Sequence, residues 1–195
     1  MKAAVFHPGA REFIVQDVVL DSPADHEVVV RVVASGLCHT ELHWLEGRYP
    51  VARPTVFGHE GAGVVESVGS AVTYAEPGDH VIIFPPGFCG KCEWCMRGRP
   101  TLCDRTLIRR SPDAPPRLRF RDGTPVDQFA DAGAFAEFAL VHENNLVKLD
   151  KSVGLDRAAL LGCGVATGIG AVIRTAKVVP GSSAAVIGCG GVGLN

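Results

Sequence analysis

The sequence predicts a mainly β protein, a barrel or a sandwich, whose strands are interrupted by a small cysteine-rich lobe. Residues 1–90 are dominated by short β-branched runs bounded by Gly, Pro or Asp, which is the pattern of strands separated by turns. The clearest of these runs lie at 26–35, 61–69 and 78–84. Four closely spaced cysteines follow at 89–103, and the strand pattern returns at 133–149. The polar, Arg- and Pro-rich stretch 111–127 is typical of a surface loop.

From Asp156 the composition shifts to small, helix-compatible residues. Ser152 or Asp156 is suited to cap the first helix, and Gly162 and Gly164 separate a short helix from a longer one, with Cys163 between them. This shift predicts a boundary between a β domain and a helical crossover. The predicted units are 1–155, containing the lobe at 85–104, and 156–195.

The final residues carry a glycine motif. Gly188, Gly190 and Gly193 form G-x-G-x-x-G directly after the apolar run 182–187, which the pattern predicts to be a short buried strand. A strand, a glycine turn and a helix are the usual context of a dinucleotide site, whose pyrophosphate lies at the helix N-terminus. That helix, and an acidic residue roughly 20 positions further on, are expected beyond residue 195. We therefore expect the chain to be part of a longer protein.

The overall charge excludes some partners. The formal net charge is −2, so nothing indicates a nucleic acid or a membrane surface as partner. No apolar stretch approaches the ~20 residues of a membrane span. The start of the chain lacks the apolar run of a signal peptide, which favours reduced cysteines and a cytoplasmic location.

The cysteines at positions 89, 92, 95 and 103 follow the pattern C-x2-C-x2-C-x7-C. Two-residue gaps let consecutive sulfurs turn back onto one centre, and the wider gap lets the fourth complete a tetrahedron. The pattern predicts a structural zinc site with no open position for a substrate. Disulfides and an iron–sulfur cluster are the alternatives, but the start of the chain does not indicate secretion, and ferredoxin runs continue with C-x3-C-P.

A second metal site is predicted from Cys38, His59 and Cys163. Two thiolates, one imidazole and an open fourth position form the ligand set of a catalytic zinc. Cys163 precedes a predicted helix, whose dipole would favour its thiolate. Taken singly, however, a Cys between glycines is more often a small core residue, and a lone His is more often only hydrogen-bonded. His59-Glu60 is not part of an H-E-x-x-H motif, because position 63 is Gly.

Five segments together resemble the zinc-containing medium-chain alcohol dehydrogenases. In chain order they are GLCHTELH, GHEGAGVVESVG, the four-cysteine lobe, LLGCGVATGIGA and GCGGVG. The resemblance is strongest to alcohol dehydrogenases and to glutathione- or mycothiol-dependent formaldehyde dehydrogenases. It implies a GroES-like β-barrel catalytic domain followed by the first strand of an α/β Rossmann domain. It also implies two Zn²⁺ per chain, NAD as cofactor, a small alcohol or aldehyde as substrate, and a homodimer for the complete protein.

The resemblance assigns roles around the second metal site. It makes Cys38, His59 and Cys163 the catalytic zinc ligands. Glu60 matches a carboxylate that transiently coordinates the metal. Glu41 stands where the family usually has an Asp that orients the ligand histidine. Both glutamates could instead be ordinary surface residues.

Proton transfer and cofactor binding are assigned in the same way. Thr40 matches the hydroxyl residue that accepts the alcohol proton, and His43 the histidine that passes it to solvent. His39 matches a residue that contacts the pyrophosphate. Alternatively, Thr40 caps a short helix at 40–46 and His43 lies on its exposed face. The residues assigned to the dinucleotide turn are Gly188, Gly190, Gly191, Val192 and Gly193.

The resulting functional prediction is a zinc-dependent oxidoreductase that moves hydride from a primary alcohol, or a thiol–hydroxymethyl adduct, to NAD. Bound Zn²⁺ lowers the pKa of a hydroxyl by several units, and the nicotinamide accepts the hydride. A non-catalytic, zinc-stabilised barrel module is the alternative. With the dinucleotide domain incomplete, we expect the 195-residue chain to have little activity by itself.

Overall fold

The chain forms two β-sheets followed by short helices. A computed structural model describes residues 1–85 and 87–195, so residue 86, within the predicted lobe, lies outside the described residues. The strands are β1 (Lys2–Phe6), β2 (Phe13–Asp17), β3 (Val19–Leu20), β4 (Glu27–Ser35), β5 (Thr55–Val56), β6 (Gly61–Val68), β7 (His80–Ile83), β8 (Leu118–Arg119), β9 (Pro125–Gln128), β10 (Phe138–His142) and β11 (Leu146–Leu149). The α-helices are α1 (His39–Leu45), α2 (Glu93–Met96), α3 (Leu155–Ala158) and α4 (Gly164–Gly170).

The larger hydrophobic core lies on the five-stranded sheet, whose order is β10-β4-β6-β7-β11. Its strands are antiparallel, and the three clearest runs of the sequence form its centre as β4, β6 and β7. Alternate residues of these strands, such as Val28, Val30, Val81 and Ile83, are completely buried, as expected where period 2 directs one face inward. The mainly β class is therefore confirmed.

The second sheet has the order β2-β1-β5-β9-β8-β3 and corrects one prediction. The stretch 111–127, expected to be a loop, contains strand β8 and most of β9. Leu118 and Val126 pair in register and are buried in the second core, and the chain reverses at Gly123, whose φ of +90° suits glycine. The two-residue strand β8 is too short for its alternation to be recognised among prolines and arginines.

A charge network centred on the buried carboxylate of Glu27 joins this stretch to the five-stranded sheet. Arg110 donates hydrogen bonds to Asp21 and Glu27, and Arg117 donates to Glu27 at 2.7 Å. Burial acts to raise the pKa of Glu27, but the hydrogen bonds and charges of the two guanidinium groups outweigh it and hold that pKa below its ordinary value. The network orders the segment 111–127, which the sequence predicted to be a surface loop.

The helical region begins as predicted but with a different cap. Gly154, not Ser152 or Asp156, is the N-cap of α3, and no side chain caps it. Ser152 hydrogen-bonds Asp150 instead. A 3₁₀ turn leads from α3 to Cys163, and a π turn extends α4 to residue 175, giving the expected short and longer helices.

The predicted strand at 182–187 is absent: these residues form no regular element and are exposed. A strand needs a neighbour for its backbone hydrogen bonds, and no other strand of the described chain lies beside this run. No single helix in the described residues is long and apolar enough to cross a membrane. The bent pair of helical segments Leu155–Gly162 and Gly164–Thr175 is long and apolar enough when the two are counted together, by length and composition alone.

Candidate metal centres

The four lobe cysteines converge around α2. Cys92 is the N-cap of α2, Cys95 lies within it, and a 3₁₀ turn at Pro100–Leu102 brings Cys103 back. All four sulfurs lie within 4.8 Å of one another. The Cys89–Cys95 separation is 4.0 Å and the Cys92–Cys103 separation is 3.8 Å.

These separations fit one four-coordinate ion. A Zn–S bond of about 2.3 Å gives a tetrahedron whose edge is about 3.8 Å. A disulfide needs about 2.05 Å, and all seven cysteines of the chain are free. An iron–sulfur cluster places several iron atoms between the thiolates and would hold the sulfurs further apart than one ion does.

The lobe backbone is arranged to stabilise negative sulfur. The backbone N–H groups of Lys91 and Cys92 point at the Cys89 sulfur, and that of Arg105 points at the Cys103 sulfur. The pKa of Cys92 is lowered to about 7, chiefly by the hydrogen bond that its sulfur accepts from the Cys95 backbone. In contrast, burial and the neighbouring Cys92 sulfur raise the pKa of Cys95 to about 12. A cation bound between the sulfurs, as a structural metal would be, would favour the thiolate form of Cys95.

The second cluster is assembled from three distant parts of the chain. Cys38 is the N-cap of α1, His59 and Glu60 directly precede β6, and Cys163 is the N-cap of α4. One ligand atom from each of the four residues lies within 4.8 Å of the others. The Cys38 and Cys163 sulfurs are 4.0 Å apart, again close to the edge of a zinc tetrahedron.

Glu41 orients two members of this cluster. Its carboxylate accepts a hydrogen bond from the Cys38 backbone at 3.1 Å and pairs with His59 Nδ1 at 2.5 Å. Burial acts to lower the pKa of His59, but Glu41 outweighs it and the pKa is raised. Because Nδ1 faces Glu41, Nε2 is the atom left for a metal. Glu41 is only 3% exposed, so it is not a surface residue.

Glu60 is also 3% exposed, and its carboxylate lies between Gly36 and Gly164. Its Oε1 accepts a hydrogen bond from the Gly164 backbone at 3.2 Å. A Cβ on Gly36 would lie 2.0 Å from its Oε2, so a side chain at position 36 would force this carboxylate to move. The surface alternative for Glu60 is therefore wrong.

Cys163, the N-cap of α4, is surrounded by groups that disfavour its thiolate. Burial raises the pKa of Cys163 to about 12, and the Cys38 sulfur and the Glu60 carboxylate add to the rise. The end of a seven-residue helix does not offset these effects. Two thiolates beside a carboxylate need a divalent cation, so the donor set fits the metal that the sequence predicts.

The residues assigned to proton transfer lie on α1. Thr40 Oγ1 is 3.4 Å from the Cys38 sulfur, while the N-cap is Cys38, so Thr40 is not the helix cap. His43, half-buried, lies one turn further along, and its ring centroid is 5.5 Å from that of the exposed His39. Residues three apart share a face of a helix, which places Thr40 and His43 on one side of α1.

A cleft of about 380 Å³ opens beside His59 and Cys163. Its wall includes residues that sequence reasoning missed, namely Phe84, Phe88, Thr101 and Thr167. Two phenylalanines in a Pro- and Gly-containing segment between β7 and the cysteines are the signal that could have indicated it. Among the described residues, the lining carries no Asp, Glu, Lys or Arg side chain.

The glycine turn lies against α4 rather than in the metal cluster. Gly188 has a φ of +95°, and the Leu194 backbone donates to the Gly190 carbonyl at 3.0 Å. A Cβ on Gly164 would lie 3.6 Å from the Gly191 carbonyl oxygen. The turn therefore contacts the helix that begins at Cys163.

A mainly β domain with a Cys₄ lobe and a Cys₂His cluster is the arrangement of a protein with two metal centres. Residues 24–151 match the family described as alcohol dehydrogenase GroES-like domain. The chain belongs to this family.

The chain is also similar to individual proteins along almost its whole length. The chain is 39% identical over 198 residues to S-(hydroxymethyl)glutathione dehydrogenase of Saccharomyces cerevisiae, covering 99% of this chain and 51% of the yeast protein. It is 42% identical, with a TM-score of 0.88, to the structure of an alcohol dehydrogenase zinc-binding domain protein from Burkholderia ambifaria, covering 99% of this chain and 53% of that one. Benzyl alcohol dehydrogenase from Acinetobacter calcoaceticus is 39% identical with a TM-score of 0.81, over 93% of this chain and 50% of that one. The chain thus spans about half the length of these relatives.

Proposed function

We propose that this chain is the catalytic part of a zinc-dependent alcohol dehydrogenase that transfers hydride from a primary alcohol, or a thiol–hydroxymethyl adduct, to NAD. The convergence of Cys38, His59, Glu60 and Cys163 beside an uncharged cleft supports this proposal above all. Four donors from distant segments, two of them buried acid or imidazole groups, are costly to place together without a cation.

The proposed catalytic metal would be held by Cys38, His59 and Cys163, and the structural metal by the four lobe cysteines. When bound, zinc supplies Lewis acidity toward the alcohol oxygen, and NAD accepts the hydride. Glu41 holds the His59 ring so that Nδ1 is occupied and Nε2 faces the cluster. Glu60 remains close enough to serve as a transient ligand while it accepts the Gly164 N–H.

In this proposal Thr40 takes the alcohol proton and His43 passes it outward. The Thr40 hydroxyl lies next to the Cys38 sulfur, and His43 lies on the same side of α1 beside exposed His39. An imidazole side chain can both accept and release a proton near neutral pH. The route therefore runs along α1 from the cluster toward solvent, and His39 would contact the pyrophosphate.

The proposed cofactor site is the glycine turn of residues 188–193, resting on the helix that begins at Cys163. Backbone N–H groups of such a turn are suited to a pyrophosphate. The names of the relatives support both substrate classes, because one acts on S-(hydroxymethyl)glutathione and another on benzyl alcohol. The resemblance further supports the units 1–155 and 156–195 and a homodimer for the complete protein.

Metal content tests this function directly. The chain and two variants, Cys163→Ser and Cys189→Ser, are dialysed against buffered Zn²⁺ and analysed for zinc per chain. Cys189 is exposed and belongs to neither cluster, so its variant is the matched control. We expect two zinc ions per chain in the parent and in the control, and one in Cys163→Ser.

A parent with only one zinc ion would contradict the proposal and favour the non-catalytic module. Cobalt supplies the second measurement, because Co²⁺ takes similar ligands and absorbs visible light. We expect the spectrum of the cobalt-loaded chain to change when a primary alcohol is added, and the change to be lost in Cys163→Ser. An unchanged spectrum in the parent would exclude alcohol binding at this metal.

A further inference from the structure

Helix α4 touches both the metal cluster and the glycine turn. At its N-terminal end, the Gly164 backbone donates to Glu60 Oε1 at 3.2 Å. Four residues further on, Gly168 faces the backbone of the turn. A Cβ on Gly164 would lie 3.7 Å from Glu60 Oε1. Because residues four apart lie on one face of a helix, the face of α4 next to Glu60 also meets the turn.

The contact at Gly168 leaves no room for a side chain. A Cβ there would lie 2.5 Å from the Val192 carbonyl oxygen and 3.0 Å from Asn195 Cβ. Carbon atoms do not approach a backbone oxygen this closely, and a backbone oxygen cannot rotate away as a flexible side chain does. Gly168 is buried, although most of the surrounding segment is exposed.

Gly170 provides a contrast on the same helix. A Cβ on Gly170 would have nothing within 4 Å. Both glycines lie in helical backbone, where alanine is the better residue by up to about 1 kcal/mol. Helix formation therefore does not explain a glycine at 168, whereas the approach of the turn does.

The turn is otherwise held by few contacts. Its internal hydrogen bonds join Leu194 N to Gly190 O at 3.0 Å, Asn195 N to Val192 O at 3.2 Å and Asn195 Nδ2 to Gly191 O at 2.7 Å. Residues 186–195 are exposed except Gly193 and the turn rests on α4 without a strand beside it. Among the described residues, the contact with α4 is therefore the main support of the turn.

We propose that Gly168 is a positioning residue that seats the dinucleotide turn on the helix of the catalytic metal ligand Cys163. This inference rests on the proposed function for the roles of the two sites, and on the contact distances for the seating itself. Its consequence is that a single methyl group at position 168 displaces the cofactor turn while the metal ligands remain in place. The contact thus sets the placement of the turn relative to the metal.

Hydrogen exchange of zinc-loaded protein tests the seating. Gly168→Ala and the control Gly170→Ala are compared with the parent by mass spectrometry of peptides covering 186–195 and 133–149. We expect Gly168→Ala to exchange roughly tenfold faster in 186–195 only, because the turn loses its seat. We expect Gly170→Ala to match the parent in both peptides. Equal exchange at 186–195 in the two variants would overturn the proposal.

Two further measurements separate positioning from a general loss of structure. We expect the cobalt spectrum of Gly168→Ala to match the parent, and its NADH dissociation constant, from nucleotide fluorescence, to rise roughly tenfold relative to Gly170→Ala. A changed cobalt spectrum with unchanged exchange at 186–195 would mean that α4 moves instead, which contradicts the proposal. Failure of the parent to bind cobalt at Cys163 would count against the proposed function, while exchange at 186–195 still decides the role of Gly168.

Discussion

Replacing Glu41 by Gln tests whether the second cluster is built to bind metal. The substitution keeps the size of the side chain and removes its charge. Glu41 accepts two hydrogen bonds, from His59 Nδ1 at 2.5 Å and from the Cys38 backbone at 3.1 Å, and both donors belong to cluster residues. A hydrogen bond to a charged group contributes about 1.5–3 kcal/mol, and tenfold in affinity corresponds to about 1.4 kcal/mol. We therefore expect Glu41→Gln to weaken zinc binding at this site by roughly 10–100-fold.

The assay is a competition between the chain and a chelator of known zinc affinity. Glu46→Gln is the matched control, because Glu46 is the C-cap of the same helix, is exposed and forms an ion pair with Arg48. Because Glu41 raises the pKa of His59, protons compete with zinc more strongly in the parent than in Glu41→Gln. The deficit of Glu41→Gln is therefore expected to grow as the pH rises. Equal affinity of the parent and Glu41→Gln at high pH would refute this account of the cluster.

Two predictions concern the rest of the fold. Glu27, whose pKa lies below its ordinary value of 4.5, stabilises the fold above that pH, and this stability is lost as the pH falls through the lowered pKa. Glu27→Gln leaves the largely covered guanidinium groups of Arg110 and Arg117 without their shared carboxylate, so we expect a loss of about 3 kcal/mol in urea unfolding at neutral pH. The loss should shrink below pH 4.5, and a deficit independent of pH would contradict the network. Chelation of zinc is expected to open the lobe, because among the described residues its buried hydrophobic cluster consists of Cys89 and Cys103 packed on Ile108. Trypsin should then cleave after Lys91 and Arg97. Cleavage at the same rate with zinc bound would show that the metal does not hold the lobe.

Local patterns in the sequence were sufficient for several features. The alternation in 26–35, 61–69 and 78–84 predicted the central strands, because period 2 reports directly which face is buried. The spacing of the four lobe cysteines predicted their convergence, because short gaps leave few ways for the sulfurs to point. The helical region after Asp156 followed from composition in the same way.

Other features depended on contacts between distant residues. The hairpin of β8 and β9 exists because Leu118 and Val126 fill a core built by other strands, and Arg110 finds its partners more than 80 residues away. The run 182–187 has strand composition but no neighbouring strand in the described chain, so it forms none. Residue type alone could not distinguish these outcomes, because both depend on which partners are present.

The sequence by itself determined the residue types of both metal centres and the mainly β class. Only the tertiary structure decided that Cys38, His59 and Cys163 meet, that Glu41 and Glu60 are buried beside them, and that the glycine turn rests on α4. The physical reason is the separation along the sequence over which residues constrain one another. Spacing constrains atoms a few residues apart, whereas residues 125 positions apart come within 4.0 Å only because the packed strands and helices carry them there.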